Sequence, residues 1–281
     1  MKKILLPVAL LLTTPILYAQ HYYNDIVGTK KTNDLWKLYK QNAIISITTK
    51  STESDGQPSE GFLLEQKINL QNKTIETTTG SAATGKSLLT SYFNEKDQLI
   101  KTVDKNDNSE NSAVYTYDND GKLISIETNS ITKDTSFSLS EKHIWFYNSN
   151  GLPEKMLKIK NDNDTATIRI NYDEKGNAGE EVDFAKGKQL ERYYFYYNAK
   201  KQLTDIVRYN IRYKRMLPDY SFDYDDAGRL NEMTVYRVQS SGSDYLTWMY
   251  LYDERGLKLK EACVDKDRKL VGKIEYSYNG Q

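Results

Sequence analysis

The stretch Phe222-Asp223-Tyr224-Asp225-Asp226-Ala227-Gly228-Arg229-Leu230 decides the reading of this chain. An alternating strand runs into Tyr-Asp, a short polar turn ends in Gly, and Leu opens the next strand. Asp at the first turn position can bond its side chain to backbone N–H groups further along. Gly three residues later supplies the left-handed backbone of a type I turn closed by a bulge. The stretch therefore reads as a β-hairpin, and it is not alone. Related copies are Phe93-Asn94…Leu99, Tyr117-Asp118-Asn119-Asp120-Gly121-Lys122-Leu123 and Tyr147-Asn148-Ser149-Asn150-Gly151-Leu152. Tyr172-Asp173-Glu174-Lys175-Gly176, Tyr197-Asn198…Leu203 and Tyr252-Asp253-Glu254-Arg255-Gly256-Leu257 follow, and Tyr278-Asn279-Gly280 is a truncated copy. Successive aromatics are 24, 30, 25, 25, 27, 28 and 26 residues apart, the signature of a repeat architecture. Asp97 and Lys201 stand where the other copies have Gly, so those two turns are expected to be looser or strained.

The flanks alternate as strands do. Phe137, Leu139, His143, Trp145 and Tyr147 share one parity, as do Tyr220, Phe222 and Tyr224, and Leu246, Trp248, Tyr250 and Tyr252. The opposite parity is mostly Ser, Thr, Lys, Asp and Arg. Each repeat thus holds two strands and two turns. The return turns are expected at 129–134, 161–165, 185–188, 214–219, 240–244 and 265–269. Before the repeats, 43–49 and 62–70 read as a further hairpin, 32–42 as a short capping helix, and 20–30 as an irregular leader. The expected organisation is a signal peptide over 1–19, an N-terminal region over 20–90 with a short helix and the first hairpins, and repeats over 91–281 continuous with those hairpins. The fold class is all-β: a long antiparallel meander of 16–18 strands. Open sheets rarely exceed ~10 strands without curling, so a spiral or barrel-like sheet with the aromatic parity inside is expected.

The chain has 281 residues, 28% of them charged, with Lys+Arg and Asp+Glu balanced at 39 each. That balance lacks the footprint of a nucleic-acid binder. The 23 Tyr against 7 Phe suit surfaces packed on one side, with the hydroxyl reaching water or a partner. Lys2 and Lys3, the apolar run Ile4–Leu17 and the small residue Ala19 form a secretory signal with cleavage near Ala19–Gln20. The apolar run is shorter than the ~20 residues of a membrane span, so no transmembrane helix is expected after its removal. Export places the mature chain in the periplasm or at the cell surface. Cys263 is the only cysteine, which rules out an intrachain disulfide framework.

Phe222–Leu230 and Tyr115-Thr116-Tyr117-Asp118-Asn119-Asp120-Gly121-Lys122-Leu123 resemble the YD repeat of RHS-type proteins. Copies span about residues 92–280. The resemblance implies a coiled β-sheet, which in long RHS proteins forms a shell around a C-terminal toxin. This chain has too few repeats for a large shell, and its last motif begins at Tyr278, so the delivery function is not carried over. The signal peptide, the leading Gln and the Lys/Asn/Tyr-rich repeats also resemble exported proteins of Bacteroidetes-type bacteria, some expected to have porin-like sheets.

Few motifs carry chemistry. Gly80-Ser81-Ala82-Ala83-Thr84-Gly85-Lys86-Ser87 matches the P-loop pattern, which needs a buried strand before it and a helix after it. Here 73–79 is polar and 88–93 reads as a strand, so a Gly/Ser turn is expected. The acidic clusters at 104–110, 118–120, 161–164 and 223–226 do not complete a Ca²⁺ loop. Hairpin turns account for them, with weak Ca²⁺ binding as the alternative. His21 and His143 with Cys263 make neither a metal site nor a nucleophile–base pair. No cofactor and no catalytic residue is assigned. Tyr117, Tyr147, Tyr172, Tyr197, Tyr224 and Tyr252 recur once per repeat. They are read as a cross-strand ladder that pins register, or alternatively as a ligand platform for carbohydrate. Asp118, Gly121, Gly151, Asp173, Gly176, Asp225, Gly228, Asp253 and Gly256 are read as structural turn residues. The expectation is an exported, non-enzymatic β-repeat protein of the cell envelope with a structural or binding role, its partner a carbohydrate or another envelope protein. The alternatives are a carbohydrate-binding protein, an outer-membrane porin-like barrel and, last, a hydrolase. The porin reading needs a continuous apolar outer band, which the polar parity does not offer.

Overall fold

The computed structural model describes residues 21–134, 137–210, 213–239 and 242–280; the signal segment lies outside them. One helix, α1 (Asn24–Gln41), precedes eighteen antiparallel strands. The first six are β1 (Ile44–Glu53), β2 (Leu63–Asn69), β3 (Thr74–Ser81), β4 (Gly85–Phe93), β5 (Leu99–Asn106) and β6 (Ser109–Tyr117). Next come β7 (Leu123–Thr132), β8 (Ser138–Tyr147), β9 (Pro153–Lys160), β10 (Asp164–Tyr172), β11 (Ala178–Ala185) and β12 (Lys188–Tyr197). The last six are β13 (Leu203–Asn210), β14 (Arg215–Tyr224), β15 (Leu230–Gln239), β16 (Gly242–Tyr252), β17 (Lys258–Asp265) and β18 (Leu270–Gly280).

The repeated motif builds every second turn. In β6–β7, Gly121 N donates to Asp118 O, Asp118 N to Lys122 O, and Lys122 N to the Asp118 carboxylate. Asp173, Asp225 and Asp253 accept from the backbone in the same way. Gly121, Gly151, Gly176, Gly228 and Gly256 all have φ between 74° and 85°, the region only Gly adopts without strain. The ladder slips by one residue after each of these turns, as between Thr116 and Tyr117. That slip is the bulge the motif implies.

Each strand pairs with its neighbour in sequence, and β1 pairs with β18 from Ile44↔Gly280 to Glu53↔Gly272. The meander is therefore a closed β-barrel, with no free edge. Eighteen strands spaced ~4.8 Å apart and tilted ~40° would enclose a circle roughly 35 Å across. A helix with its side chains is only ~10–12 Å thick, so long inward side chains must fill much of such a lumen. The inward parity supplies them: Trp145, Tyr193, Phe195 and Trp248 are buried, with the motif tyrosines half-buried beside them.

Helix α1 lies inside the barrel. Its Trp36 and Tyr39 pack with Ile47, Ile75, Phe93 and Leu257, while Tyr22, Tyr23 and Ile26 pack with β8–β14 residues such as Trp145 and Phe195. Only the concave side of a closed sheet can offer β3 and β12 to one short segment.

Two local expectations are corrected. Of the segment 20–30 expected as an irregular leader, residues 24–30 are helical: the helix starts at Asn24. Nothing local announces it, because Tyr23 makes no capping side-chain bond and the partners of this segment come from distant strands. The return turn expected at 214–219 falls earlier, since β14 begins at Arg215. Pro218 is tolerated in that strand beside a register slip, the position where a sheet can lack a donor. The P-loop match forms the tight β3–β4 hairpin, with Ser81 paired to Gly85.

Candidate lumen anchor site

The motif tyrosines form a ladder along the inner wall. Tyr117 OH donates to Leu99 O at 2.7 Å, Tyr147 OH to Leu123 O at 2.6 Å, and Tyr172 OH to Pro153 O at 2.6 Å. Tyr224, Tyr252 and Tyr278 repeat this to Leu203, Leu230 and Lys258 at 2.8, 2.9 and 2.6 Å. Each acceptor is the residue paired with the aromatic of a neighbouring repeat. This explains the excess of Tyr over Phe: the hydroxyl stitches repeat to repeat. Burial holds these phenols above their ordinary range, Tyr117 and Tyr252 at about 12. Tyr197 lines the same wall, packed beside Phe195 and Leu203. A second ladder runs along the turns, where Gln98 Nε2 donates to Gly121 O, Gln202 Nε2 to Gly228 O and Arg229 Nη1 to Asp253 O.

A cluster of ionisable groups clamps the N-terminal segment. Strand β8 alternates, so Glu141, His143 and Trp145 point inward together; β9 adds Lys158, and β11 adds Glu181 and Asp183. His143 Nδ1 lies 2.7 Å from Asp25 Oδ2, and its Nε2 lies 2.8 Å from Glu141 Oε1. Trp145 Nε1 donates to the same Asp25 oxygen at 3.2 Å. Lys158 Nζ bridges Tyr22 OH at 2.7 Å and Glu141 at 3.1 Å. Glu181, fully buried, accepts the backbone N–H groups of Tyr22 and Tyr23 at 2.7 and 2.6 Å. It gives a far-away acceptor to donors just before the helix.

The electrostatics follow from burial and pairing. Burial opposes charging His143, but its bonds to Asp25 and Glu141 prevail and raise its pKa to about 9. Burial lifts Glu181 to about 8, against the pull of its two amide donors. Burial and then Glu191 raise Asp183 to about 6. His21, packed edge-on to Phe195 at 5.1 Å, is held at about 4 by burial and then by Lys31. These groups hold a peptide segment: each charged bond named above ends on Tyr22, Tyr23 or Asp25, or on a residue that touches them.

The other end of α1 is fixed at the β4–β5 turn. Trp36 stacks on Phe93 with ring centroids 4.6 Å apart. Its Nε1 donates to Asp97 at 2.8 Å, and Lys40 pairs with the same carboxylate at 2.9 Å. Asp97 has φ 58°, so the residue that replaces the motif glycine carries backbone strain and anchors the helix. Asn33 Oδ1 accepts Leu99 N at 2.8 Å.

Sequence reasoning placed His143 in a strand but found none of Glu141, Lys158, Glu181 or Asp183. A signal existed: in β11 the inward parity carries Glu181 where β7, β9, β13 and β15 carry Ile126, Met156, Ile206 and Met233. Cys263 is buried on the inner wall. Among the described residues, no group of three or more His, Cys, Asp or Glu has the arrangement of a metal site.

No family model matches the chain, and none of the curated proteins matches it. Among solved structures, it is similar to a porin-like protein from Bacteroides uniformis at 12% identity and TM-score 0.39, covering 84% of this chain and 98% of that one. A porin-like protein from Bacteroides vulgatus matches at 13% identity and TM-score 0.29, over 85% and 99% of the two chains. The Photorhabdus luminescens Tc holotoxin pore matches at 14% identity and TM-score 0.34, over 77% of this chain and 12% of that one. Likenesses this distant carry no functional argument, and the architecture rests on the strand pairings themselves.

Proposed function

We propose that this chain is a non-enzymatic β-barrel of the bacterial envelope whose lumen is plugged by its own N-terminal helix, and that it acts in the aqueous phase as a binding body. The observation that carries the reading is the double anchorage of residues 22–41, at Glu181 and His143 near their start and at Asp97 in the β4–β5 turn. A segment tied at two separate places on the inner wall obstructs passage and leaves enclosed space beside it.

The outer wall supports the aqueous placement. Lys50, Glu65, Lys67, Glu76, Lys101, Glu127, Lys155 and Arg169 are exposed on it. A Lys or Arg on the lipid face of a membrane barrel costs roughly 2–4 kcal/mol at mid-depth. Outward aromatics carry cations from the adjacent strand: Lys155 lies 4.4 Å from the Phe146 ring centre, and Lys101 lies 5.9 Å from that of Tyr92. Glu181 and His143 are engaged in anchorage, which supports a non-enzymatic role. Export rests on the sequence of residues 1–19, and carbohydrate or envelope-protein partners would meet the outer wall and the return turns.

A second reading, a membrane-inserted porin-like barrel, is favoured by closure of the sheet and by the 11-residue strands β16 and β18. One experiment separates the two. The mature chain, residues 20–281, is expected to be monodisperse without detergent and to stay out of floated liposomes. Recovery only in detergent, with conductance in planar bilayers, would support the porin-like barrel instead.

A further inference from the structure

A cavity of about 400 Å³ lies between α1 and the wall formed by β16, β17, β18, β1 and β2. Gly256, in the β16–β17 turn, borders it, which sets it at the end of the barrel where the Tyr-Asp turns gather. Leu38, Ile47, Leu64 and Leu257 line it, and Leu35 remains 39% exposed although it borders this internal space. The polar groups around it are largely engaged. Tyr39 OH donates to Gln66, Tyr252 OH to Leu230 O and Tyr278 OH to Lys258 O. The hydroxyls of Thr32 and Thr49 donate to Gly28 O and Leu64 O. Lys258 is paired with Glu261 at 3.1 Å.

Lys31 is the exception. It borders the cavity, and its ammonium makes no hydrogen bond or ion pair among the described residues. Its side chain is exposed to the space of the cavity, and the protein packed around it lowers its pKa. An unpaired ammonium beside apolar walls offers an anion a charge-assisted contact. The volume falls in the roughly 300–1,000 Å³ range of small-molecule sites, which are mostly apolar with a few polar groups that fix orientation.

We propose that this cavity binds an apolar chain carrying a single negative charge, of the fatty-carboxylate class, with the carboxylate at Lys31 and the chain along Leu35, Leu64 and Leu257. The site rests on the plugged reading, because α1 forms one of its walls.

The test is titration calorimetry of the mature chain with decanoate, decanol and decyltrimethylammonium, each below its micellar concentration. Decanoate is expected to bind one to one and the cation not to bind. Lys31→Met should weaken decanoate about tenfold, the loss of one charge-assisted contact, and leave decanol unchanged. Leu64→Trp should abolish both by filling the space. Decanoate affinity unchanged in Lys31→Met, or equal affinity for the cation, would overturn the proposal. Trypsin reports the plug separately, since α1 carries Lys30, Lys31, Lys37 and Lys40. A trypsin-resistant helix in a chain that does not bind decanoate overturns the cavity proposal alone; a helix cut at once overturns the plug.

Discussion

Single residues divide into those that shape turns and those that stitch repeats. Gly228 has φ +80°, so Gly228→Val should cost roughly 1–2 kcal/mol in a urea titration; an unchanged midpoint would contradict the turn assignment. Asp97 and Lys201 sit at the same motif position with φ 58° and 60°, but their fates should differ in sign. Lys201→Gly relieves strain and should stabilise by about 0.5–1 kcal/mol. Asp97→Gly relieves the same strain but removes the acceptor of Trp36 and Lys40. Hydrogen bonds to a charged group contribute ~1.5–3 kcal/mol, so it should destabilise. Tyr252→Phe, which deletes the bond to Leu230 O, should cost about 1 kcal/mol. Turn chemistry at this scale was legible, because Asp, Asn and Gly act on their own backbone neighbours. The role of Asp97 was not, because its partners Trp36 and Lys40 lie some sixty positions earlier.

Among the elements, the strands were legible and α1 only half so. Alternation of aromatics sets the inward face of β8, β14 and β16 in the sequence itself. Helix α1 has Gly28 in its interior and a weak apolar stripe, and its first turn depends on Glu181, 158 residues away from Tyr23. Most helical stability comes from such tertiary packing, and sequence patterns do not report it. The element also carries a pH signature. His143 has its pKa raised to about 9. Its stabilisation is therefore complete below the unfolded value of about 6.5 and is lost as pH rises through 9. Glu181, raised to about 8, acts in the same direction, its contribution falling as pH rises from about 4.5. His21, lowered to about 4, favours the fold above 6.5 and loses that contribution as pH falls through 4. Unfolding free energy should thus decline between pH 6.5 and 9, on the order of 2–3 kcal/mol from His143. His143→Gln should flatten that slope, and an unchanged slope would remove His143 from the anchor.

For the whole molecule, the sequence announced a sheet too wide to stay open but not how it would end. Closure depends on β1 meeting β18, as in Ser46↔Asn279 and Thr48↔Ser277, pairs at opposite ends of the chain that share no local signal. Closure also determines what the tyrosines do: wrapped inward, their hydroxyls reach neighbouring repeats, and their rings enclose the N-terminal segment. The outward face then carries the charge balance read from composition, with Lys50 opposite Glu275 across the seam.

The central claim is that residues 22–41 sit inside the closed barrel. Hydrogen exchange resolved to individual amides tests it most directly, at Tyr22 and Tyr23, whose N–H groups donate to buried Glu181. Both amides should exchange as slowly as those of β11, and Glu181→Ala should release them while β11 stays protected. Exchange of Tyr22 and Tyr23 within seconds in the unmodified chain, with the strands still protected, would mean that the lumen is not plugged and that the account is wrong.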